Sequence, residues 1–264
     1  MSPSKSESNA RSEREKAAYD KGNVFAVSDF YHRRTQVFQY PNTRRHEQLF
    51  MRLMERCARN ARVLEIGCGD GTECERLFQL GASYVLGIDI SEKWITEARK
   101  REIPEKLEFL CQDISNPING EFDLIFGRAI LHHVDHRSVL WTLYKCNLVQ
   151  GGTLLFVEPL GENIIMRVFY FVARNAHTSD ERPFMLEDLL WLQSHFPTAQ
   201  VYPFNYTSLV SGVVLSALGI RIEDNIIMRA SDRIDVWLAR HMAFLKPRFR
   251  QFILVIRKAN PDFQ

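Results

Sequence analysis

Residues 64–72 read LEIGCGDGT, a short apolar run that passes into a glycine-dense turn. The run predicts a strand, and the residues after the turn predict a helix. Gly67, Gly69 and Gly71 have no Cβ, so the backbone can turn sharply here and come close to a bound ligand. The stretch therefore predicts a nucleotide-type binding site at the carboxyl end of a strand in an α/β sheet.

The spacing of the glycines and the acids beside them restrict the ligand. A dinucleotide-binding turn has the pattern Gly-x-Gly-x-x-Gly, but here Gly71 comes one position early and Thr72 stands in its place. Glu65 and Asp70 carry negative charge, which repels a diphosphate. A cationic or zwitterionic ligand therefore suits this turn better.

The rest of the chain alternates between strand and helix patterns. The predicted strands are 62–67, 83–89, 107–111, 122–127, 152–158 and a closing strand at 252–257. The predicted helices of the core are 72–80, 91–101 and 136–149, with further helices at 162–176 and 187–196 and an extended segment at 201–206. Such alternation indicates an α/β protein built on a doubly wound sheet.

The glycine turn and four later landmarks resemble the class I methyltransferases that use S-adenosylmethionine. The turn is similar to motif I of that family, and the later landmarks follow in the family's order at 84–91, 110–114, 122–134 and 151–159. The resemblance covers roughly residues 60–160 and the closing strand. It implies a seven-stranded, Rossmann-like methyltransferase sheet, with an N-terminal helical lid and a cap inserted after the fifth strand.

The resemblance also implies which residues contact the cofactor, S-adenosylmethionine. Asp89 is expected to accept hydrogen bonds from the ribose hydroxyls, Glu65 to lie near the methionine amino group, and Asp113 to face the adenine amino group. Asp113 has an alternative role, since it can simply cap the turn that follows it. The full set of predicted cofactor-binding residues is Glu65, Gly67, Cys68, Gly69, Asp89, Ile90, Asp113, Ile114 and Arg128.

Methyl transfer from a sulfonium needs alignment, exclusion of water and often deprotonation of the acceptor, so no metal ion is expected. His132 and His133 follow the fourth strand, where the acceptor approaches the methyl group in the family. By resemblance to phosphobase and other small-molecule methyltransferases, one of them acts as a base together with Tyr19 of the lid. The alternative is that the histidine pair only packs and forms hydrogen bonds. Glu158 is a further candidate for contacting the acceptor.

Missing motifs and the composition of the cap restrict the acceptor. The fourth strand ends in Gly127-Arg128-Ala129-Ile130 rather than the Asn/Asp-Pro-Pro-Tyr/Phe of enzymes that methylate base amino groups, and no Pro-Cys nucleophile occurs. The cap is rich in aromatic and aliphatic residues, which suit a hydrophobic small molecule or an ordinary core. We predict O-, N- or C-methylation of an apolar or aromatic small metabolite, in secondary metabolism. The alternatives are an RNA or protein methyltransferase, or a non-catalytic, cofactor-binding partner subunit.

Net charge, cysteine content and apolar stretches restrict the partners and the cellular compartment of the protein. A net charge of +2 excludes no class of partner, and five cysteines without a Cys-x-x-Cys pair indicate a reducing, cytoplasmic setting. No nucleic acid partner is expected, because a long basic track interleaved with aromatic residues is missing outside the N-terminal segment. No membrane partner is expected either, because the apolar stretch 209–220 is too short to span a bilayer. The N-terminal segment can dock on a second subunit, so a homo-oligomer is allowed for.

We divide the chain into five segments. They are a disordered tail at 1–16, the helical lid at 17–60, the S-adenosylmethionine-binding core at 61–160, a substrate cap with late sheet elements at 161–247, and the closing strand and C-terminus at 248–264.

Overall fold

The computed structural model of the protein describes residues 5–20, 36–101, 105–172 and 181–259. In this part of the chain seven strands form one sheet: β1 Arg62–Ile66, β2 Tyr84–Asp89, β3 Leu107–Cys111, β4 Phe122–Arg128, β5 Leu148–Pro159, β6 Gln200–Phe204 and β7 Gln251–Arg257. Their order across the sheet is β3-β2-β1-β4-β5-β7-β6. The predicted fold class is confirmed.

The topology places the carboxyl ends of β1 to β5 at one edge of the sheet. These five strands run parallel to one another, and β7 is antiparallel to both of its neighbours, β5 and β6. The register is close to level, since Ile66 pairs with Ile88 and Asp89 pairs with Cys111. Residues that follow these strands are therefore neighbours in space although they are distant in sequence.

Helices cover both faces of the sheet. They are α1 Lys5–Asp20, α2 Pro41–Ala58, α3 Thr72–Gln79, α4 Glu92–Ala98, α5 His136–Thr142, α6 Ile164–Val172, α7 Leu186–His195, α8 Thr207–Ala217 and α9 Ile226–His241. Short 3-10 turns lie at Gln36–Gln39, Leu131–His133 and Ala243–Arg248, and a π-helical turn, Leu143–Asn147, continues α5 into β5. The predicted helix at 162–176 is seen as α6, and its residues 173–176 lie outside the described part.

Alternating side chains of the strands supply two separate cores. In β5, Leu154 and Phe156 point to one face and Leu155 to the other, and all three are buried. The second face is covered by α2, whose Phe50 and Met54 are fully buried one helical turn apart. Because both faces are covered, the central strands are nearly continuous apolar runs, which is the pattern that made them recognisable in the sequence, while the edge strand β3 alternates buried and exposed residues.

The cap contains two helices, α8 and α9, that the sequence pattern did not predict. The inner face of α9 is partly polar, because Ser231 and Asp235 are buried there. The Asp235 carboxylate accepts hydrogen bonds from Thr207 N at 2.7 Å and Tyr206 N at 3.1 Å, at the start of α8, and from Asn42 Nδ2 of α2 at 2.9 Å. A buried acid at a helix N-terminus is stabilised by unpaired N–H groups, but it interrupts an apolar periodicity.

The N-terminal region differs from its prediction. Residues 5–16, predicted as part of a disordered tail, form the first three turns of α1. The predicted lid at 17–60 comprises the end of α1, the 3-10 turn and α2, while residues 21–35 lie outside the described part of the chain. Among the described residues, no helix is both long enough and apolar enough to cross a membrane.

Candidate active site

The glycine turn joins β1 to α3 at the carboxyl edge of the sheet. Gly67, Gly69 and Gly71 have φ angles of 69°, 52° and 78°, a region that only glycine adopts readily. A Cβ at Gly71 would lie 2.4 Å from the Phe109 ring, so this position needs glycine for space as well. A Cβ at Gly69 would meet nothing within 4 Å, which leaves open space where a ligand can approach the backbone.

Asp89 ends β2 directly beside that turn. Its Oδ2 accepts from Gly69 N and its Oδ1 accepts from Ser91 N, both at 2.9 Å. Burial is the main cause that raises the pKa of Asp89 above its ordinary value. Each carboxylate oxygen has a second lone pair, so Asp89 can accept the two ribose hydroxyls while it still holds the turn in place.

The residues predicted to surround the adenine lie next to Asp89. Gln112 N donates to Asp89 O at 2.8 Å, which joins the end of β3 to the end of β2, and Cys111 Sγ lies 3.5 Å from Ile90 O. Asp113 Oδ1 accepts from Ser115 N at 2.7 Å, so the alternative role of capping its own turn is realised here. Ile114 packs partly buried against the core. A role for Asp113 toward adenine stays a prediction.

Glu65 is a buried acid beneath the glycine turn. Its Oε2 accepts from the thiol of Cys74 at 2.7 Å, and Cys68 lies buried nearby. Burial raises the pKa of Glu65 to about 8, so this carboxyl is mostly protonated at neutral pH. Glu65 fits the amino group of the predicted ligand. When the ammonium binds, its positive charge would stabilise the ionised carboxylate, and Glu65 would lose its proton.

Proton release measures this contact. Below a pKa of about 8 the free protein holds a proton on Glu65, and an ammonium 3 to 4 Å away, at roughly the distance of an ion pair, would lower that pKa. Binding of S-adenosylhomocysteine at about pH 7 should therefore release about one proton, and affinity should rise with pH toward 8. Calorimetry in buffers of different ionisation enthalpy measures the release, which Glu65→Gln should abolish. Binding without release in the unaltered protein would contradict the contact.

Arg128, predicted at the methionine end, holds the end of β4 against the lid. Its guanidinium forms two hydrogen bonds to the Glu47 carboxylate, at 3.1 and 2.8 Å, and lies 4.0 Å from the centre of the Phe50 ring. A guanidinium held by two bonds and an aromatic face has a fixed orientation. Arg128 therefore connects the core to α2, and a contact with the cofactor stays a prediction.

Glu158 holds the histidine turn, Leu131–His133, in position through hydrogen bonds. It is fully buried, so it does not face an acceptor as the sequence suggested. Its Oε1 accepts from Ile130 N at 3.0 Å and Leu131 N at 2.9 Å, and its Oε2 lies 2.8 Å from His132 Nδ1. Since a carboxylate can only accept, His132 carries its hydrogen on Nδ1 and presents Nε2. Burial lowers the pKa of His132, which keeps the ring neutral.

Helix α1 brings Tyr19 to His133. Tyr19 Oη lies 3.3 Å from His133 Nε2, and Glu15, one helical turn earlier, places Oε2 3.1 Å from His133 Nδ1. Glu15 Oε2 and His133 Nδ1 are within ion-pair distance without forming a hydrogen bond, so Glu15 acts on the ring through its charge, and Nε2 is the nitrogen that faces the phenol. Burial, and then the charge of Glu15, raise the pKa of Tyr19 above its ordinary range, so the phenol keeps its proton.

The same helix also reaches the cofactor side of the site. Arg11 Nη2 donates to His132 O at 3.1 Å, and Ser91 Oγ at the start of α4 donates to Asp20 Oδ1 at 2.5 Å. Ser91 N is one of the two groups held by Asp89. Helix α1 therefore spans from the histidine turn to the predicted ribose acceptor.

The structure brings the predicted catalytic residues Tyr19, His132 and His133 together, adds Glu15, which the sequence did not indicate, and gives Glu158 a different role from the one expected. Glu15 had been placed in the disordered tail, and the only available signal was its spacing of four residues from Tyr19. The role of Glu158 as an internal acceptor needs the distance to His132, which sequence does not provide. Within the described residues, no group of three or more His, Cys, Asp or Glu side chains is placed to hold a metal ion.

Comparisons with known proteins bear on the family and the fold of the chain. Residues 64–156 match the family model described as a methyltransferase domain. A malonyl-[acyl-carrier protein] O-methyltransferase of Bacillus cytotoxicus is 34% identical over 125 residues, which are 45% of this chain and 44% of that protein. A tRNA U34 carboxymethyltransferase of Pseudomonas aeruginosa is 34% identical over 107 residues, 37% of this chain and 32% of that protein. The chain thus spans less than half the length of these curated relatives.

Solved structures share the fold over most of the chain. The magnesium protoporphyrin IX methyltransferase of Synechocystis PCC 6803, crystallised with S-adenosylhomocysteine, is 15% identical, covers 94% of this chain and 100% of that chain, and has a TM-score of 0.54. The N-methyltransferase NodS of Bradyrhizobium japonicum WM9, also in complex with S-adenosylhomocysteine, is 13% identical, covers 91% of this chain and 96% of that chain, and has a TM-score of 0.55. At such low identity the likeness describes the fold.

Proposed function

We propose that this chain is a class I S-adenosylmethionine-dependent methyltransferase, and that it transfers a methyl group to an apolar or aromatic small metabolite, as in secondary metabolism. One observation carries the proposal. Helix α1 contacts His133 through Tyr19 and, one residue later, contacts Ser91 beside Asp89 through Asp20. A helix laid across both halves of the site covers it from one side, which suits a small acceptor better than a macromolecule.

The residues of the chain bind and orient the reactants. Bound S-adenosylmethionine supplies a methyl group that is already activated on a sulfonium. Asp89 would hold the ribose, the backbone around Gly69 would approach the methionine, and Glu65 would hold the amino group. This fixed geometry makes the displacement effectively intramolecular, while α1 excludes water from the acceptor side.

The Glu15–His133–Tyr19 arrangement would remove a proton from the acceptor. Tyr19 Oη takes the proton of the acceptor as it gives its own proton to His133 Nε2, and Glu15 stabilises the imidazolium that forms. His132 is kept neutral by burial and oriented by Glu158, and its Nε2 would accept a hydrogen bond from the acceptor. An imidazole suits this work because it exchanges protons near neutral pH.

The rival proposal, a nucleic-acid or protein substrate, depends on basic residues that would hold an anionic partner. Arg45 instead forms a salt bridge with Asp232 of α9 at 2.9 Å, and Arg44 lies 3.5 Å from Glu223. The other two arginines of that interpretation, Arg33 and Arg34, lie outside the described residues. The arginines that can be located support the attachment of the cap to α2, which favours the small-molecule proposal.

A metabolite screen with methyl-labelled S-adenosylmethionine tests the proposal. The full-length protein should transfer label to a small extractable molecule. The Asp89→Ala variant should transfer none when the cofactor concentration is limiting. That change removes hydrogen bonds to a charged acceptor, so the cofactor dissociation constant should rise about tenfold to 150-fold, or about 1.5–3 kcal/mol.

Asp123→Ala is the matched control for Asp89→Ala. Asp123 is an exposed acid at the start of β4 that also accepts a backbone N–H, from Arg62 at 2.8 Å, but at the opposite edge of the sheet. Calorimetry should show an unchanged cofactor affinity for this variant. Label found only in RNA or protein would overturn the small-molecule proposal, and an unchanged affinity of Asp89→Ala would remove Asp89 from the ribose site.

A further inference from the structure

The outer face of α8 is apolar along its whole length. Val210, Val213, Val214 and Leu218 are spaced as one stripe of a helix, and all four are exposed, Leu218 to 68%. The helix itself, TSLVSGVVLSA, contains no charged residue. Its opposite side is buried through Leu209 and Leu215 in the cap. Helix α8 is therefore apolar on its buried side and on its outer side, and within the described part of the chain the outer side is left exposed.

The neighbouring helix α9 continues this surface. Ile226, Ile234 and Trp237 share its outer side, and Ile226 is 74% and Trp237 54% exposed. A monomeric protein seldom exposes large apolar side chains on two adjacent helices without a function for them. We call these outward residues of the two helices the α8–α9 face.

A row of arginines runs beside the apolar residues of α9. Arg229, Arg233 and Arg240 are exposed and spaced along the same outer side of the helix, next to Ile226 and Trp237. Among the described residues none of the three forms a salt bridge, and Arg229 Nη1 bonds only the backbone oxygen of Asp224. These charges are available to an anionic partner.

Three of the acids near the α8–α9 face are paired or buried, and a fourth, Asp224, is exposed just before α9. Asp232 pairs with Arg45 at 2.9 Å, Glu223 pairs with Arg221 at 2.5 Å, and Asp235 is fully buried at the start of α8. The face therefore combines apolar side chains, an indole and a net positive charge. This combination is typical of a surface that lies in the interface of an anionic bilayer.

We propose that the α8–α9 face is a peripheral docking surface for an anionic phospholipid bilayer. The apolar stripe enters the boundary between headgroups and acyl chains, Trp237 lies at the headgroup level, and the arginines contact lipid phosphates. A second copy of the chain fits less well. In a two-fold dimer the face meets itself, which brings the arginine rows of both subunits together.

The α8–α9 face begins at the edge of the sheet that carries the candidate active site. Strands β5 and β6 are both antiparallel to β7, so β6 runs parallel to β5 and its carboxyl end lies at the same edge. Helix α8 starts three residues after β6. Docking would bring this edge close to the bilayer, where apolar metabolites accumulate, but binding to lipid does not depend on the proposed function.

Co-sedimentation of the full-length protein with vesicles tests the proposal. The protein should bind vesicles of phosphatidylcholine with phosphatidylglycerol more tightly than phosphatidylcholine alone, and salt should weaken the binding. The double variant Arg233→Gln, Arg240→Gln should lower partitioning about tenfold to thirtyfold, since each arginine near the surface contributes to lipid affinity. Trp237→Ser should lower it on both kinds of vesicle.

A matched control removes the same charge elsewhere. Lys93 and Lys106 are exposed on α4 and before β3, at the far edge of the sheet, so Lys93→Gln, Lys106→Gln should bind like the unaltered protein. An equal loss in this control, or no partitioning of the unaltered protein, would overturn the proposal. The proposal would also be overturned if light scattering shows a dimer that Trp237→Ser abolishes and the unaltered protein does not bind vesicles. Cofactor affinity should be unchanged in every variant, which separates this test from that of the proposed function.

Discussion

Replacing His133 by alanine should lower turnover of the acceptor by about 10²–10⁴, the range typical of the loss of a general base. The reason is geometric. His133 Nε2 lies 3.3 Å from Tyr19 Oη, and the raised pKa of Tyr19 means that the phenol cannot act as a base without a neighbour that takes its proton.

Companion variants separate catalysis from packing. Tyr19→Phe keeps the aromatic ring and removes only the hydroxyl, so it should lower kcat strongly with little change in cofactor affinity. Glu15→Gln keeps the shape but not the charge, and should cause a smaller loss. His195→Ala is the control, because His195 is exposed at the end of α7. Near-normal turnover of His133→Ala and of Tyr19→Phe would mean that catalysis here is alignment alone, as for an acceptor that is nucleophilic without help.

Deleting residues 1–20 should abolish measurable turnover while the remaining protein stays folded. The deletion removes Glu15, Tyr19 and Asp20 together, and it opens the acceptor side to water. Cofactor binding should weaken only partly, because the glycine turn and Asp89 stay in place. Steady-state rates, calorimetry and thermal unfolding of the truncated protein measure these three outcomes.

The end point of the deletion matters. Truncation to residue 42 would also remove Val37 and Tyr40, which are buried in the cap, and Asn42, which bonds Asp235. That longer deletion would therefore test the stability of the cap rather than the role of α1. A deletion of residues 1–9 is the matched control, since it keeps the Arg11, Glu15 and Tyr19 side of α1 and should retain activity. Full activity without residues 1–20 would show that α1 is an appendage.

The cofactor half of the site was predictable because its signals are local. Gly67 and Gly71 require positive φ, Asp89 ends an apolar strand, and each of these features stands within a few residues of the pattern that identifies it. The acceptor half was not. Glu15 lies in a segment predicted as a tail and reaches His133 only because that segment is helical, and Glu158, predicted as a contact of the acceptor, is buried and bound to His132.

The cap shows the same limit in a different way. Residues 209–220 are apolar but too short to cross a bilayer, and their sequence pattern does not indicate that one side of α8 is exposed. Helix α9 went unpredicted because Asp235, which looks like a surface residue, is buried against the start of α8. Burial of a charge depends on partners that only the folded chain supplies.

The amino-acid sequence by itself determined the doubly wound sheet, the glycine turn and the acid at the end of β2. These depend on backbone conformations and on apolar periodicities that act over a few residues. Only the tertiary structure decided which acid orients which histidine, that Tyr19 reaches His133 across 114 positions of the chain, and that two cap helices present an apolar face beside exposed arginines. Such pairings depend on distances between elements that packing alone sets, so no local pattern encodes them.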